Sequence, residues 1–542
     1  MRPFFQLCLA VSLLLLSGTA CSKREKQARP DPADAADTAK ILRLGNGSEP
    51  QDLDPHIVTG VTEHNIICAL IEGLVAEDPE TLDPVPGVAT RWELSADGRV
   101  YTFHFREEAR WSNGDPVTAH DFVFSYKRML TPALGAPYAY MLYLLENGEA
   151  YNKGTLDDFE PVGVQAIDDR TLKITLAAPT PYFLAVLNHY SWFPVHPPTI
   201  LQHGTIDQRS TGWTRPESHI GNGPYVLASW EPDQKITVTR NPMYWDRATV
   251  KIDEIHFHPI GDHATEERTF RSGKLHVTST IPIDRIAHYR DNQPDLLRLD
   301  PYLGTYYYIF NVQRKPLDDP RVRRALSMAI DRATIVERVT KAGEDPAYHF
   351  TPPGTAGYQT DARISDELGE ARKLLADAGY PAGEGFPSLK LLYNTSDAHE
   401  RIAQVIQQMW KKALGIEIQL ENMEWKVYLD ATQRGTYDIA RAGWIGDYVD
   451  PNSFLDMWVT GGGNNRANWS NADYDRLIRE ASTTLDPTQR FKTFSEAETI
   501  LMKESPIMPI YSYRSKSLVD PSVQGWNPTI LDHHPYKHLD LK

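Results

Sequence analysis

Arg441-Ala442-Gly443-Trp444-Ile445-Gly446-Asp447-Tyr448 sets an anion beside an indole and a phenol, with two glycines close by. An aspartate accepts several hydrogen bonds and neutralises an ammonium, glycines admit a second backbone, and aromatic rings exclude water. These residue types suit a grip on a small cation that leaves the rest of its owner free. The same letters also describe a strand end with a capping aspartate, the reading that composition alone favours. The rest of the chain decides between them.

Far upstream, Arg2 precedes an apolar run from Leu7 to Leu16 broken by Ser12, and Ser17-Gly18-Thr19-Ala20 leads to Cys21. The run is about half of the ~20 apolar residues a spanning helix needs, so residues 1–20 read as a cleaved export signal. Cys21 resembles the lipid-modified cysteine of bacterial lipoproteins, although Gly18 stands where that family usually has Leu. Cys8 would leave with the signal and Cys21 would be acylated, which strands Cys68 as the one free thiol and rules out an intramolecular disulfide. An exported body without a disulfide needs a large core, which the residues that follow a 20-residue signal in a 542-residue chain can supply. Residues 21–40 are charged and rich in Ala, Pro and Asp, and read as a flexible tether of roughly 25 Å.

The formal net charge of −16 repels phosphate backbones, and no basic stripe with interleaved aromatics offsets it, so nucleic acid is excluded as a partner. Beyond residue 40, strand-like and helix-like segments alternate without a tandem period, which predicts α/β architecture. Val100-Tyr101-Thr102-Phe103-His104-Phe105 alternates as a half-buried strand, and Trp111-Ser112-Asn113-Gly114-Asp115-Pro116 supplies an Asn-Gly turn. Thr118 and Asp121 have capping-box spacing ahead of a helix through Phe122, Tyr126 and Met129. A second helix starts at Pro320, burying Val322, Ala325, Leu326, Ala329 and Ile330 and leaving Arg321, Arg323 and Arg324 wet; a third uses Leu368, Ala371, Leu374, Leu375 and Ala378 and stops at Gly379.

Catalytic signatures are absent: no Walker-type phosphate loop, no Gly-x-Ser-x-Gly elbow, no His-Glu-x-x-His and no paired Cys-x-x-Cys. Gly461-Gly462-Gly463-Asn464-Asn465 lacks the Lys and the helix start of a phosphate cradle and reads as a mobile loop. The clusters His256, His258, His263 and His533, His534, His538 are scattered members of an 18-His chain, and structural or exposed roles are expected ahead of metal ligation. No metal, no cofactor and no enzymatic activity are expected.

A family resemblance rests on Ser48-Glu49-Pro50-Gln51-Asp52-Leu53-Asp54-Pro55-His56, Trp111 to Ala119, Asn222-Gly223-Pro224-Tyr225, Arg240-Asn241-Pro242 with Tyr244-Trp245, Asp300-Pro301-Tyr302-Leu303, Leu392 to Asp397, and 441–448 itself. Together these resemble the periplasmic oligopeptide-binding proteins of the ABC-transporter solute-binding family 5, the peptide/nickel cluster. The resemblance implies an α/β, bilobed periplasmic-binding-protein fold of class II type, cluster C, with an extra domain, three domains in all. Carried over, the first lobe takes 41–73, 198–303 and 514–542, the extra domain 74–197, and the second lobe 304–513.

The resemblance also implies a site. Asp447 matches the aspartate that pairs with a peptide's α-ammonium, and Gly443, Trp444 and Ile445 match the strand that pairs with its backbone. Tyr138 matches a phenol at the amino-terminal end, and Val61 a residue of the facing strand. Trp425, Leu429, His399, Tyr302, Tyr307 and Tyr513 match the lining of enclosed side-chain pockets, and Arg441 a cation that meets the ligand's carboxylate. Gly304 and Ile445 stand where well-known members carry a disulfide-forming cysteine pair, and Thr59, Ile309 and Thr340 depart from charged positions. The expectation is a monomeric, periplasmic receptor that delivers oligopeptides to the transmembrane subunits of an ABC permease, membrane-anchored through a lipid on Cys21. A receptor for cell-wall muropeptides is the alternative within the family, and an exported peptidase or amidase the rival from another class.

Overall fold

The long strands Leu297–Phe310 and Ile507–Leu518 run antiparallel to each other, paired from Leu297 against Leu518 to Ile309 against Ile507 with register shifts between Pro301 and Thr305 and between Tyr306 and Tyr307, and tie the molecule together. Pairing between them is interrupted between Pro301 and Thr305, where Pro301 has no N–H to give to a ladder. On one side of this gap their ends join a body built on the four-stranded sheet Ile41–Gly45, Glu254–His258, Lys235–Arg240, Tyr225–Glu231. On the other they enter a six-stranded sheet in the order Asp345–Pro346, Ile507–Leu518, Leu297–Phe310, Ile439–Ile445, Leu389–Asn394, Ile418–Met423. The computed structural model describes residues 39–542 apart from the side chains of 425 and 426. The expected signal 1–20, Cys21 and the tether to residue 38 therefore lie outside the described residues, as does the side chain of Trp425. Lys40, assigned to the tether, belongs to the folded body: its ammonium meets Asp540 at 2.6 Å.

Apolar side chains gather into separate cores. One comprises residues between Leu303 and Tyr511, a second residues between Leu74 and Trp192 joined by Tyr448, and a third residues of 42–71 together with Tyr190, Phe193, 225–277 and 519–541. The second core packs on the antiparallel sheet Ala89–Leu94, Val100–Phe105, Thr171–Thr175, Val164–Asp168. Val100–Phe105 buries alternate residues, as its sequence demands. The helix Ala119–Leu130 starts at Thr118 with both halves of the capping box made, Asp121 reaching back to the Thr118 N–H at 2.8 Å. Arg128 of this helix is fully buried and forks onto Asp54 at 2.8 and 2.6 Å, bonding the second core's helix to the turn 52–56.

The helix Pro320–Met328 buries Val322, Ala325 and Leu326, but Arg323 is not on its wet face. Arg323 is 2% exposed and donates to the carbonyls of Glu504, Ser505, Leu317 and Asp318, so its guanidinium supplies donors to the end of the helix Pro487–Glu504 and to the loop ahead of Pro320. The helix Leu368–Asp377 ends ahead of Gly379, which takes the left-handed backbone that terminates helices. The loop 461–465 is tied in at its end, because the buried Asn465 amide donates to the carbonyls of Trp458, Val459 and Trp469.

Candidate functional site

The strand Ile439–Ile445 is paired along its length with Leu297–Phe310, from Phe310 against Ile439 to Gly304 against Ile445. Its other edge meets Leu389–Asn394 only at Ile439 and Ala440. Among the described residues, 441–445 therefore present one strand edge with no partner strand. Residues at period two share a face. Arg441, Gly443 and Ile445 accordingly lie with Tyr306 and Tyr308 on one side of the sheet, and Tyr307 with Ala442 on the other.

Past the strand end the chain turns under tight constraint. The Gly446 N–H donates to the Leu303 carbonyl at 2.8 Å, and a Cβ at Gly446 would stand 2.7 Å from the Leu303 side chain, which a larger residue would have to push aside. Ser453 then orients two neighbours at once: its hydroxyl accepts from the Asp447 N–H at 3.0 Å and its carbonyl from the Trp444 indole at 2.7 Å. The Asp447 carboxylate is left facing a cavity of about 940 Å³ that is also lined by Trp444, Ile445, Tyr138, Tyr140, Tyr302 and Val61. Burial pushes its carboxyl up to about 6, and no described cation lies within ion-pair distance. Tyr138 packs edge-on against His189 and Tyr190 at 4.7 and 5.9 Å, and Asp447's charge adds to burial in raising its phenol. Asp456 is exposed, yet the protein around it and the charge of Asp447 push its carboxyl up to about 7.

A second group gathers at the other end of the same strand. The Arg441 guanidinium lies 4.6 Å from the Tyr306 ring and donates to Tyr513 Oη at 3.0 Å and Asn394 Oδ1 at 3.3 Å. No carboxylate forms an ion pair with it among the described residues, and its Nε is buried without a partner. His399 meets Tyr306 Oη through Nδ1 at 3.3 Å; burial and then the Arg441 charge push it down to about 3, which keeps it neutral. Gly443 leaves room for Tyr513, whose hydroxyl would be 2.5 Å from a Cβ there.

The expected site residues thus fall into two groups, with exceptions. Asp447, Trp444, Ile445, Tyr138, Tyr302 and Val61 line the cavity; Arg441, Gly443, His399 and Tyr513 cluster toward the other end of the strand. Tyr307, one register position from Tyr306, faces the opposite side of the sheet and packs edge-on against Phe350 and Trp458 at 5.0 and 5.9 Å. Leu429, on the helix Trp425–Arg434, packs against the core of the six-stranded sheet. Val61 opens a helix, Val61–Leu70, and not a strand; it is 65% exposed because it occupies the first turn beside the cavity.

Sequence reasoning missed Tyr140, Tyr190, His64, His189 and His533, all of which line the cavity. Tyr140 was within reach, two residues after Tyr138 in the same 3-10 turn, Ala139–Leu144, at whose cap Tyr138 sits. The histidines come from three distant segments: the rings of His64 and His533 meet tilted at 4.4 Å, and His533 Nδ1 meets Glu77 at 2.9 Å. Burial opposes a charge on His533, but the Glu77 carboxylate outweighs it and raises its pKa, while His64 is driven down. Among the described residues no three or more His, Cys, Asp or Glu side chains come together in a way that could hold a metal ion.

Comparison with known proteins places this geometry. Residues 83–466 match the bacterial extracellular solute-binding proteins, family 5, middle region. The chain is 41% identical to the periplasmic oligopeptide-binding protein OppA of Salmonella typhimurium over 92% of this chain and 91% of that one. The solved structure of the Escherichia coli murein tripeptide-binding protein MppA is similar at a TM-score of 0.80 and 36% identity, covering 93% and 98% of the two chains. That of Haemophilus influenzae OppA in complex with the peptide RPPGFSPFR is similar at a TM-score of 0.78 and 35% identity, covering 93% and 99%.

Proposed function

Because the chain belongs to the bacterial extracellular solute-binding proteins, family 5, we propose that it is the receptor of an ABC importer, taking oligopeptides beside Asp447 and delivering them to the permease's transmembrane subunits. The observation that carries this reading is an unpaired strand edge, 441–445, ending at an unpaired carboxylate that faces a cavity of about 940 Å³. An extended peptide adds to such an edge through main-chain hydrogen bonds that grip any sequence alike. Asp447 supplies the register by pairing with the α-ammonium, which recovers the cost of keeping a desolvated charge unpaired. Arg441, a cation without an anion on the same strand, suits a ligand carboxylate. Two bodies joined by crossing strands close over the ligand because it binds the closed form better. The receptor performs no chemistry on the peptide, works as a monomer, and is held at the membrane from the periplasmic side by a lipid on Cys21.

Calorimetry with tri- to pentapeptides tests this reading. Removing one partner of a buried ion pair costs about 2–5 kcal/mol, so N-acetylated peptides, or an Asp447→Ala variant, are expected to bind at least tens of times more weakly. Unchanged affinity in both cases overturns the assignment, and peptides recovered cleaved would instead indicate a peptidase. The likeness to a murein tripeptide-binding protein favours muropeptides as a second ligand class. Displacement of a bound pentapeptide by a muropeptide at equal or lower concentration would support it.

A further inference from the structure

Tyr448, the residue after Asp447, leaves the core of its own neighbours. It is 9% exposed and, among the described residues, is the one member of the second core that lies outside 74–192. There its ring stacks on that of Tyr182, 5.1 Å away at an interplanar angle of 4°. On its own side Tyr448 is held rigidly. Asn452 Nδ2 donates to its hydroxyl at 3.1 Å, the Asn452 N–H donates to Asp450 Oδ1 at 2.9 Å, and Arg490 forks onto both oxygens of Asp450 at 2.7 Å. The same guanidinium lies 5.4 Å from the Tyr182 ring, so Tyr182 meets an aromatic face and a cation from the far body together. Tyr182 is fixed in turn, because it immediately precedes the short helix Phe183–Val186, whose Phe183 is buried against Tyr101 and Trp192. Along the same seam the Leu485 side chain lies against Gly98.

We propose that Tyr182 is a positioning residue for ligand capture, and that segment 74–197 latches the cleft by holding Tyr448, and through it Asp447, in the closed arrangement. This rests on the receptor reading above. The stack joins a ring of 74–197 to a ring of 304–513, so on this proposal it belongs to the closed state and not to the open one. A ligand's apparent affinity scales with the fraction of receptor in the competent state, and loss of a closed-state contact shows chiefly as faster release. One peptide unit separates Tyr448 from Asp447, about 3.8 Å between their Cα atoms, so movement of the ring is passed to the carboxylate.

The test measures association and release of a pentapeptide by stopped flow, together with small-angle scattering with and without that peptide, on the full protein and on Tyr182→Leu and Tyr182→Phe. Tyr182→Leu keeps apolar volume but loses the stack and the cation contact. It is expected to release peptide about three- to tenfold faster, with association within about twofold and a smaller peptide-induced contraction. Tyr182→Phe retains the ring and is expected to release peptide within about twofold of wild type, whereas Tyr182→Leu, which fills comparable apolar space without the ring, is not. If Tyr182→Leu melts early without ligand, Tyr182→Met carries the same expectation. Wild-type binding with unchanged release in the ring-less variant overturns the latch alone. A wild type that binds no peptide overturns the receptor reading and the latch with it.

Discussion

Asp447 differs from Asp54, Asp450 and Glu344 in what surrounds it. Asp54 is forked by Arg128, Asp450 by Arg490, and Glu344 meets Lys516 at 2.9 Å. Asp447 has no such partner, and burial raises its carboxyl to about 6. The sign of the consequence is set by the ligand: an ammonium binds the ionised carboxylate, so affinity is full above pH ~6 and falls below it, by at most about tenfold per pH unit. Above about pH 8 a peptide's own α-ammonium begins to deprotonate, which lowers affinity from the other side. Calorimetric titrations are expected to show roughly tenfold weaker binding at pH 5 than at pH 7, and a flat acid limb in Asp447→Asn. Equal acid limbs in the two proteins would remove Asp447 from the ammonium contact. The residue types were legible in sequence, since an aspartate among glycines and aromatics already reads as a cation grip. Its missing counter-ion was not, because pairing depends on which distant cations the fold brings near.

At the scale of elements, the strand Ile439–Ile445 sorts its own neighbours. Alternation puts Tyr306 beside Arg441 and sends Tyr307 to the opposite core, a distinction that three consecutive tyrosines in sequence cannot reveal without the register. The same register sets Gly304 directly against Ile445, the two positions where the resemblance implies a cysteine pair elsewhere in the family. A Cβ on Gly304 would stand 2.4 Å from Ile445 Cδ1, so here the isoleucine occupies the space that the glycine leaves. Directly opposed residues of an antiparallel pair have Cα atoms about 4.5–5.5 Å apart, within the range a disulfide spans. Gly304→Cys combined with Ile445→Cys is therefore expected to oxidise to a disulfide in the periplasm and to melt higher than its reduced form. Gly304→Cys alone is expected to lower Tm by overpacking, at a cost of about 1–3 kcal/mol. Thermal melts with and without reductant check both; a double variant that stays reduced would contradict the register.

For the whole molecule, two long strands cross between the separate cores, and their ladder is interrupted between Pro301 and Thr305. No helix among the described residues is long and apolar enough to cross a membrane. On the lipid anchor proposed above, Cys21→Ser is expected to move the protein from the membrane to the soluble exported fraction, since multiple acyl chains anchor stably where one is marginal. Fractionation of cells checks it, and a wild type already soluble would refute the anchor. The sequence by itself determined the α/β class, the capped helices at Thr118 and Pro320, the strand at 100–105 and the absence of catalytic motifs, because propensity, capping and periodicity act within a few residues. Only the tertiary structure decided that Arg323 is buried, that Val61 starts a helix, and that Tyr182 meets Tyr448 from more than 250 residues away. It also assembled the cavity around Asp447 from segments near 61, 138, 302, 444 and 533. Such contacts follow from packing between elements whose separation along the chain carries no local signal.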